Sequence, residues 1–233
     1  MIRAVFFDFY NTLAHYEPSA EQVQIDTCRE LGFTVGFPAM RRAIALADHF
    51  FYEENRRFTV AKRPPAEQYQ VYFDYEEKLL KEAGLHTPRP FVMQMWDKVQ
   101  ERANKLDFGL FDDALPALQT VRDRGLKAGM ISNIPREKLP VLERLGLTAA
   151  VDFVVTPSDA GADKPDPAIF RAALAKASVA AAEAMHVGDQ YYVDVEGALG
   201  AGLKALFLDR CDIMSHVTAC PRITGLLQLA DHL

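Results

Sequence analysis

Apolar positions along the chain fall into two rhythms. Met1 to Phe7 is apolar throughout except for Arg3, which suits a strand covered on both faces; residues 1–9 are read as that strand. Between residues 18 and 106 apolar side chains recur at helical spacing in four stretches. PSAEQVQIDTCRELG opens on Pro18 and Ser19 and stops at Gly32, and PPAEQYQVYFDYEEKLLKEAGL opens on paired prolines and stops at Gly84, both with helix-boundary chemistry. PAMRRAIALADHFFYEENRRF and RPFVMQMWDKVQERANKL are the other two. After residue 107 short strands alternate with helices. LKAGMIS (126–132), VDFVVT (151–156), AMHVGD (184–189) and KALFLD (204–209) read as strands. Helices are predicted over PREKLPVLERLG, from Pro167, over VDVEGALGAG and over the final ITGLLQLADHL.

Alternating strands and helices imply a parallel sheet covered on both faces, joined by right-handed crossovers. The first strand belongs to that sheet, so the helical block is an insertion. The expected architecture is α/β: a Rossmann-like core from residues 1–14 and 107–233, with helices on both faces, and an α-helical cap at 15–106. Ligands of open parallel sheets bind beyond the carboxyl ends of the strands. Those ends carry Asp8, Ser132 with Asn133, the loop of Lys164, and Asp189. Two carboxylates, a hydroxyl and an ammonium are therefore expected in one crevice, where Asp8 is either a reagent or a helix cap.

The formal net charge of -6, from 26 basic and 32 acidic residues, argues against a nucleic-acid partner, which usually leaves a basic face. Cys28, Cys211 and Cys220 form no CxxC pair and no metal spacing, which suits a reducing compartment. No stretch reaches the ~18 apolar residues of a membrane span, and no signal peptide is legible. A cytoplasmic location without membrane association is expected.

FFDFYNTL, MISN, DKPDPAIF and HVGDQYYVDVEGALGAG resemble, in order, the four motifs of the haloacid dehalogenase superfamily of hydrolases, and the helical block stands where that superfamily carries a cap. The resemblance implies a catalytic set of Asp8, Ser132, Lys164 and Tyr10, with Asp8 as a nucleophile that forms a covalent intermediate. Ser132 and the backbone N–H groups near Phe9 would bind the transferred group. Thr12 and Asn133 stand with Phe9 as candidate substrate-binding residues, although Thr12 is read chiefly as support for the turn and Asn133 chiefly as structural, with the orienting of a neighbour as its other role. Lys164 would neutralise the carboxylates and the incoming anion. Mg²⁺ is the implied cofactor, held by Asp8, Asp189 and the Tyr10 backbone carbonyl, with Asp194 either a direct ligand or an acceptor for bound water. Gly188 lets the backbone pass close to the site.

Tyr10 complicates the reaction class. Phosphatases of the superfamily usually carry a second Asp at that place, whereas members that cleave carbon–halogen bonds have tyrosine. The last motif points the other way: dehalogenating members place serine and asparagine where this chain has Asp189 and Tyr191, and they use no metal. Close carboxylates without a cation raise one another's pKa, so the acids argue for Mg²⁺ and phosphoryl chemistry on a small anionic metabolite. The alternatives are a metal-free 2-haloacid dehalogenase and a weakly active or non-catalytic binding protein. Phosphonate cleavage fits poorly, because Tyr10 is bulky and Lys62 and Lys78 sit in no motif. His15 is a substitute acid or base to consider. In the cap, Arg41, Arg42, Arg56 and Arg57 could meet a substrate anion but read better as solvated helix faces, and Phe50, Phe51, Tyr69, Tyr72 and Phe73 read as helix packing in preference to a substrate box. Either a monomer or a homodimer is compatible with such faces.

Overall fold

The structure is a computed structural model that describes residues 1–103 and 105–233. It divides into two units, Met1–His15 with Phe108–Leu233, and Tyr16–Asp107. In the first unit β1 (Ala4–Phe7) is wholly buried. Its side chains alternate as a pleated strand requires: Val5 and Phe7 enter one apolar cluster, Ala4 and Phe6 the other. Two short strands escaped the sequence reading, β2 (Ala14–Glu17) and β3 (Asp107–Leu110), which pair with each other. AHYE and DFGL are too short and too mixed to show a period. They mark where the chain leaves the core and where it returns.

The main sheet continues with β4 (Lys127–Ile131), β5 (Phe153–Val155), β6 (Ala184–Gly188), β7 (Lys204–Leu208) and β8 (Arg222–Ile223). Its order is β5-β4-β1-β6-β7-β8, with every pairing parallel. From β1 the chain builds outward through β4 and β5, then reverses to β6 on the other side of β1. That reversal is a topological switch point, and it opens a crevice at the carboxyl end of β1.

Among the described residues the second unit holds the α-helices α1 (Ala20–Glu30), α2 (Phe37–Arg57), α3 (Pro65–Glu82) and α4 (Arg89–Ala103). They pack as a closed ring, α1 on α2, α2 on α3, α3 on α4 and α4 on α1. Ser19 caps α1 by accepting the Gln22 N–H, and Pro65 begins α3 where its missing N–H costs nothing. Phe73 lies in the bundle core, and Phe51, Tyr72 and Trp96 stack in series. Arg56 and Arg57 pair with Glu53 and Glu54 on the same helix, Lys78 pairs with Glu82, and Arg41, Arg42 and Lys62 are exposed.

Helices cover both faces of the sheet. Helix α5 (Ala114–Asp123) packs on the face of Val5 and Phe7. The predicted helix from Pro135 is instead a 3-10 turn over Arg136–Lys138 followed by the five-residue α6 (Pro140–Arg144), because Pro140 lacks an N–H and restricts Leu139 before it. Short α7 (Leu147–Ala150) and α8 (Pro157–Ala160) follow. Helix α9 (Pro167–Ala177) and α10 (Gly197–Gly200) pack on the face of Ala4 and Phe6. The helix expected over VDVEGALGAG divides into a π-helical turn at Tyr191–Glu196 and α10, and the terminal helix is 3-10 over Leu226–His232. Among the described residues no helix is long and apolar enough to cross a membrane.

A buried polar pair interrupts the apolar bundle. Gln24 of α1 donates from Nε2 to Glu76 Oε2 of α3 at 3.2 Å, both side chains buried. The amide oxygen of Gln24 and the second carboxyl oxygen of Glu76 accept no hydrogen bond among the described residues. Burial pushes the Glu76 carboxyl up to about 7, and the Gln24 hydrogen bond recovers only part of the shift. Burial and the Glu76 charge push the Cys28 thiol up to about 11. Because Glu76 holds its proton more tightly folded than unfolded, its stabilising contribution is complete below its ordinary value of 4.5 and is lost as pH rises through 7. We expect the stability of wild type relative to Glu76→Gln to fall by roughly 3 kcal/mol between pH 4.5 and pH 8, read by denaturant unfolding. A pH-independent difference would refute the assignment.

Candidate active site

The expected residues meet at the switch point. Asp8 follows β1 directly, Ser132 and Asn133 follow β4, Asp189 follows β6, and Lys164 lies in the loop between α8 and α9. Lys164 is buried with its ammonium between two carboxylates, 2.5 Å from Asp8 Oδ1 and 2.6 Å from Asp194 Oδ1. Ligand atoms of Asp8, Asp189 and Asp194 all lie within 4.8 Å of one another.

The two buried acids respond differently to this setting. Burial raises the Asp8 carboxyl, Lys164 pulls it back and the Asp194 charge pushes it up again, leaving it at about 6 instead of 3.8. Asp194 also suffers burial, but Lys164 and His186 outweigh it and hold its carboxyl below the usual range. The ammonium of Lys164 loses hydration on burial, yet Asp194 and Asp8 raise its pKa, so it stays charged.

Asp194 is fixed at both oxygens. Oδ1 receives Lys164 and stands 3.0 Å from His186 Nε2. Oδ2 accepts the Gln190 N–H at 3.0 Å. Burial lowers the pKa of His186, and opposite a carboxylate, which can only accept, its Nε2 is the donor. Gly188 makes room for this carboxyl, since a Cβ built there would collide with Asp194 Cγ and Oδ2. The π-helical turn beginning at Tyr191 brings Asp194 back against the end of β6.

The polar residues between these groups have distinct positions. Ser132 Oγ accepts the Ile134 N–H at 3.2 Å. Asn133 binds the Lys164 backbone twice, accepting its N–H at 2.7 Å and donating to its carbonyl at 3.0 Å, which ties the end of β4 to the lysine loop. Thr12 donates to Asp189 Oδ1 at 3.4 Å. Phe9 is a core side chain, tilted against Phe108 at 5.2 Å, so any contact it makes with a ligand comes from its backbone. Tyr10 sets its ring edge-on to Phe108 at 6.2 Å. His15 packs on Phe111 at 4.8 Å.

His186 escaped the sequence reading although it stands inside the quoted HVGD. As a polar residue within an apolar strand it was the visible signal. Arg210 and Asp113 were missed as well; LDR at the end of β7 follows the same pattern of a charge closing an apolar run.

A family profile described as haloacid dehalogenase-like hydrolase matches residues 2–202. Among curated proteins, the chain is 29% identical over 239 residues to a ribulose-1,5-bisphosphate 5-phosphatase of Halopiger xanaduensis, covering 100% of this chain and 95% of that one. Among solved structures, a HAD phosphatase from Thermococcus onnurineus matches with a TM-score of 0.60 at 24% identity, over 99% of this chain and 97% of that one. A 2-haloacid dehalogenase from Pseudomonas syringae pv. Tomato matches with a TM-score of 0.55 at 26% identity, with the same coverage of 99% and 97%.

Removing the cation between the two acids would leave buried charges uncompensated, which typically costs roughly 3–5 kcal/mol. We expect Lys164→Met to lose stability on that scale at pH 7 and considerably less at pH 5, where Asp8 takes up a proton. Chemical denaturation at the two pH values checks this, and an equal loss at both would contradict it.

Proposed function

The chain belongs to the haloacid dehalogenase-like hydrolases, and we propose that it is a Mg²⁺-dependent phosphatase acting on a small phosphorylated metabolite through an aspartyl-phosphate on Asp8. The observation that carries this reading is the convergence of Asp8, Asp189 and Asp194 within 4.8 Å, with one ammonium, Lys164, bridging two of them. Three carboxylates against one cation suit a hard divalent ion. Every donor is an oxygen, as Mg²⁺ requires.

The free valences divide the acids. Asp194 already accepts from Lys164, His186 and Gln190, which takes three of the roughly four lone-pair sites of a carboxylate. We assign Asp8, Asp189 and the Tyr10 carbonyl as direct ligands and Asp194 as the group that orients the shell around them. When bound, Mg²⁺ would neutralise phosphoryl charge and keep the neighbouring carboxylates ionised.

The chain's own residues supply the rest. Asp8 attacks phosphorus in line with the leaving oxygen; the phosphoryl group moves to its carboxylate, and the ester oxygen departs as its anion and takes its proton from water. Ser132 and backbone N–H groups near Phe9 hold phosphoryl oxygens, and Lys164 offsets their charge. Water then attacks the phosphorus of the acyl phosphate, releasing inorganic phosphate and restoring Asp8. The similarity to a phosphatase acting on a sugar bisphosphate supports the substrate class without selecting a substrate.

Tyr10 favours a second reading, a dehalogenase in which Asp8 displaces halide from carbon. Asp189 opposes it, because displacement of halide needs no metal and gains nothing from a further carboxylate beside the nucleophile.

We expect para-nitrophenyl phosphate to be hydrolysed with Mg²⁺ and not with chelator, and Asp8→Asn to reduce turnover to background. Turnover of 2-haloacids that survives chelation would overturn the phosphatase reading. A tyrosine with a reference pKa of about 10 is a poor proton carrier at neutral pH, and a missing general acid costs about 10²–10⁴-fold. Turnover across a series of phosphate esters should therefore rise steeply as the leaving-group pKa falls; a flat series would show that another group protonates the leaving oxygen.

A further inference from the structure

Beyond β7 lies a second charged junction, separate from the acids that meet Lys164. Arg210 grips Asp113 with both terminal nitrogens, Nη1 to Oδ2 at 3.0 Å and Nη2 to Oδ1 at 2.8 Å. The same guanidinium donates from Nη2 to the Thr12 carbonyl at 2.8 Å and from Nε to the Asn11 carbonyl at 3.3 Å. One of its faces lies 3.8 Å from the centroid of the Phe111 ring. Asp113 is held in turn by the Leu226 N–H at 2.8 Å.

The backbone that Arg210 grips is the turn following Asp8. Phe9 O accepts from the N–H groups of Leu13 and Ala14, each at 2.9 Å, and Asn11 donates to Ala14 O at 2.7 Å. Asn11 has φ 59, in the left-handed region that asparagine tolerates better than most residues. The turn's internal hydrogen bonds use the carbonyls of Phe9 and Ala14, whereas those of Asn11 and Thr12 are the two that Arg210 takes. Thr12 also reaches Asp189, so a displaced turn would disturb both the carboxylate after β1 and the one after β6.

We propose that Arg210 is a positioning residue, bridging the Asn11 and Thr12 carbonyls to Asp113 so that the turn carrying the Tyr10 carbonyl is held in register with Asp8 and Asp189. This rests on the phosphatase reading for its catalytic consequence, although the effect on the turn does not. A planar fork is needed because two carbonyls and a carboxylate are met at once, which a point-charge ammonium does not reproduce.

The test compares Arg210→Met, Arg210→Lys and Asp113→Asn with wild type. Amide hydrogen exchange of residues 11–14 reads the turn directly, without any need for activity. Steady-state hydrolysis of para-nitrophenyl phosphate over a Mg²⁺ titration reads the consequence. In Arg210→Met we expect turn exchange to accelerate, kcat to fall about 10- to 100-fold, half-saturating Mg²⁺ to rise and KM to change little, as misplacement of reacting groups predicts. Arg210→Lys should not rescue these properties. Asp113→Asn, which leaves the arginine in place, should move them in the same direction by less, and it serves if both arginine variants fail to fold. Unchanged turn exchange in a folded variant overturns the proposal whatever happens to turnover, and so does faster exchange with wild-type kcat and metal dependence. A wild-type protein with no Mg²⁺-dependent turnover refutes the phosphatase reading, while the exchange measurement still decides whether Arg210 sets the turn.

Discussion

The ammonium of Lys164, placed between Asp8 and Asp194, is the constraint on which the rest of the site depends. Each of the three groups is buried, and none would remain charged there alone, since desolvation penalises every one of them. Together they satisfy one another, and the arrangement then dictates its surroundings. Asn133 grips the Lys164 backbone from both sides because the ammonium must arrive at a fixed point. His186 and the Gln190 N–H hold Asp194 because a carboxylate free to rotate would release the lysine. Gly188 is glycine because that carboxylate occupies the place of its Cβ.

Sheet order supplies the convergence. Asp8, Ser132 and Asp189 are far apart in sequence, but their strands lie side by side as β4-β1-β6, and each residue stands immediately beyond its strand. A parallel sheet points all its carboxyl ends one way, so reactive groups after adjacent strands share a crevice without further design. The 92-residue helical unit Tyr16–Asp107 is inserted between the first and second of these strands. It leaves their pairing intact because β2 and β3 bring the two crossing points together as a ribbon. The core thus accepts a large insertion while the register of β1 with β4 and β6 is preserved.

This logic explains what the sequence disclosed. Buried parallel strands are continuous apolar runs, and a charge at the end of such a run is conspicuous; Asp8 and Asp189 were legible for that reason. Asp194 was legible only through its motif, since it sits in a π-helical turn that leaves no period. Ribbon strands β2 and β3 were invisible because four mixed residues carry no alternation. The segment after Pro135 was read as one helix because its leucines recur at helical spacing, but Pro140 divides it. His186 and Arg210 were missed because their partners, Asp194, Asn11, Thr12 and Asp113, are assembled by topology. Local spacing cannot express that a guanidinium following β7 will cover the turn following β1.

Two buried acids show how little burial decides alone. Asp194 and Glu76 are equally withdrawn from water, and desolvation is the largest influence on both. For Asp194 a full positive charge and a ring nitrogen stand at hydrogen-bond distance, and the carboxyl stays ionised. For Glu76 the partner is a neutral amide, which cannot replace lost hydration, and the carboxyl is pushed up to about 7. The difference lies in the partner's charge, because an amide dipole contributes a fraction of what an ion does at the same distance in a poorly screened interior. The first arrangement keeps an anion beside Asp8. The second makes the helical unit respond to pH in a range where the charge on Asp194 does not change, so one chain holds two carboxylates that burial alone would have made alike.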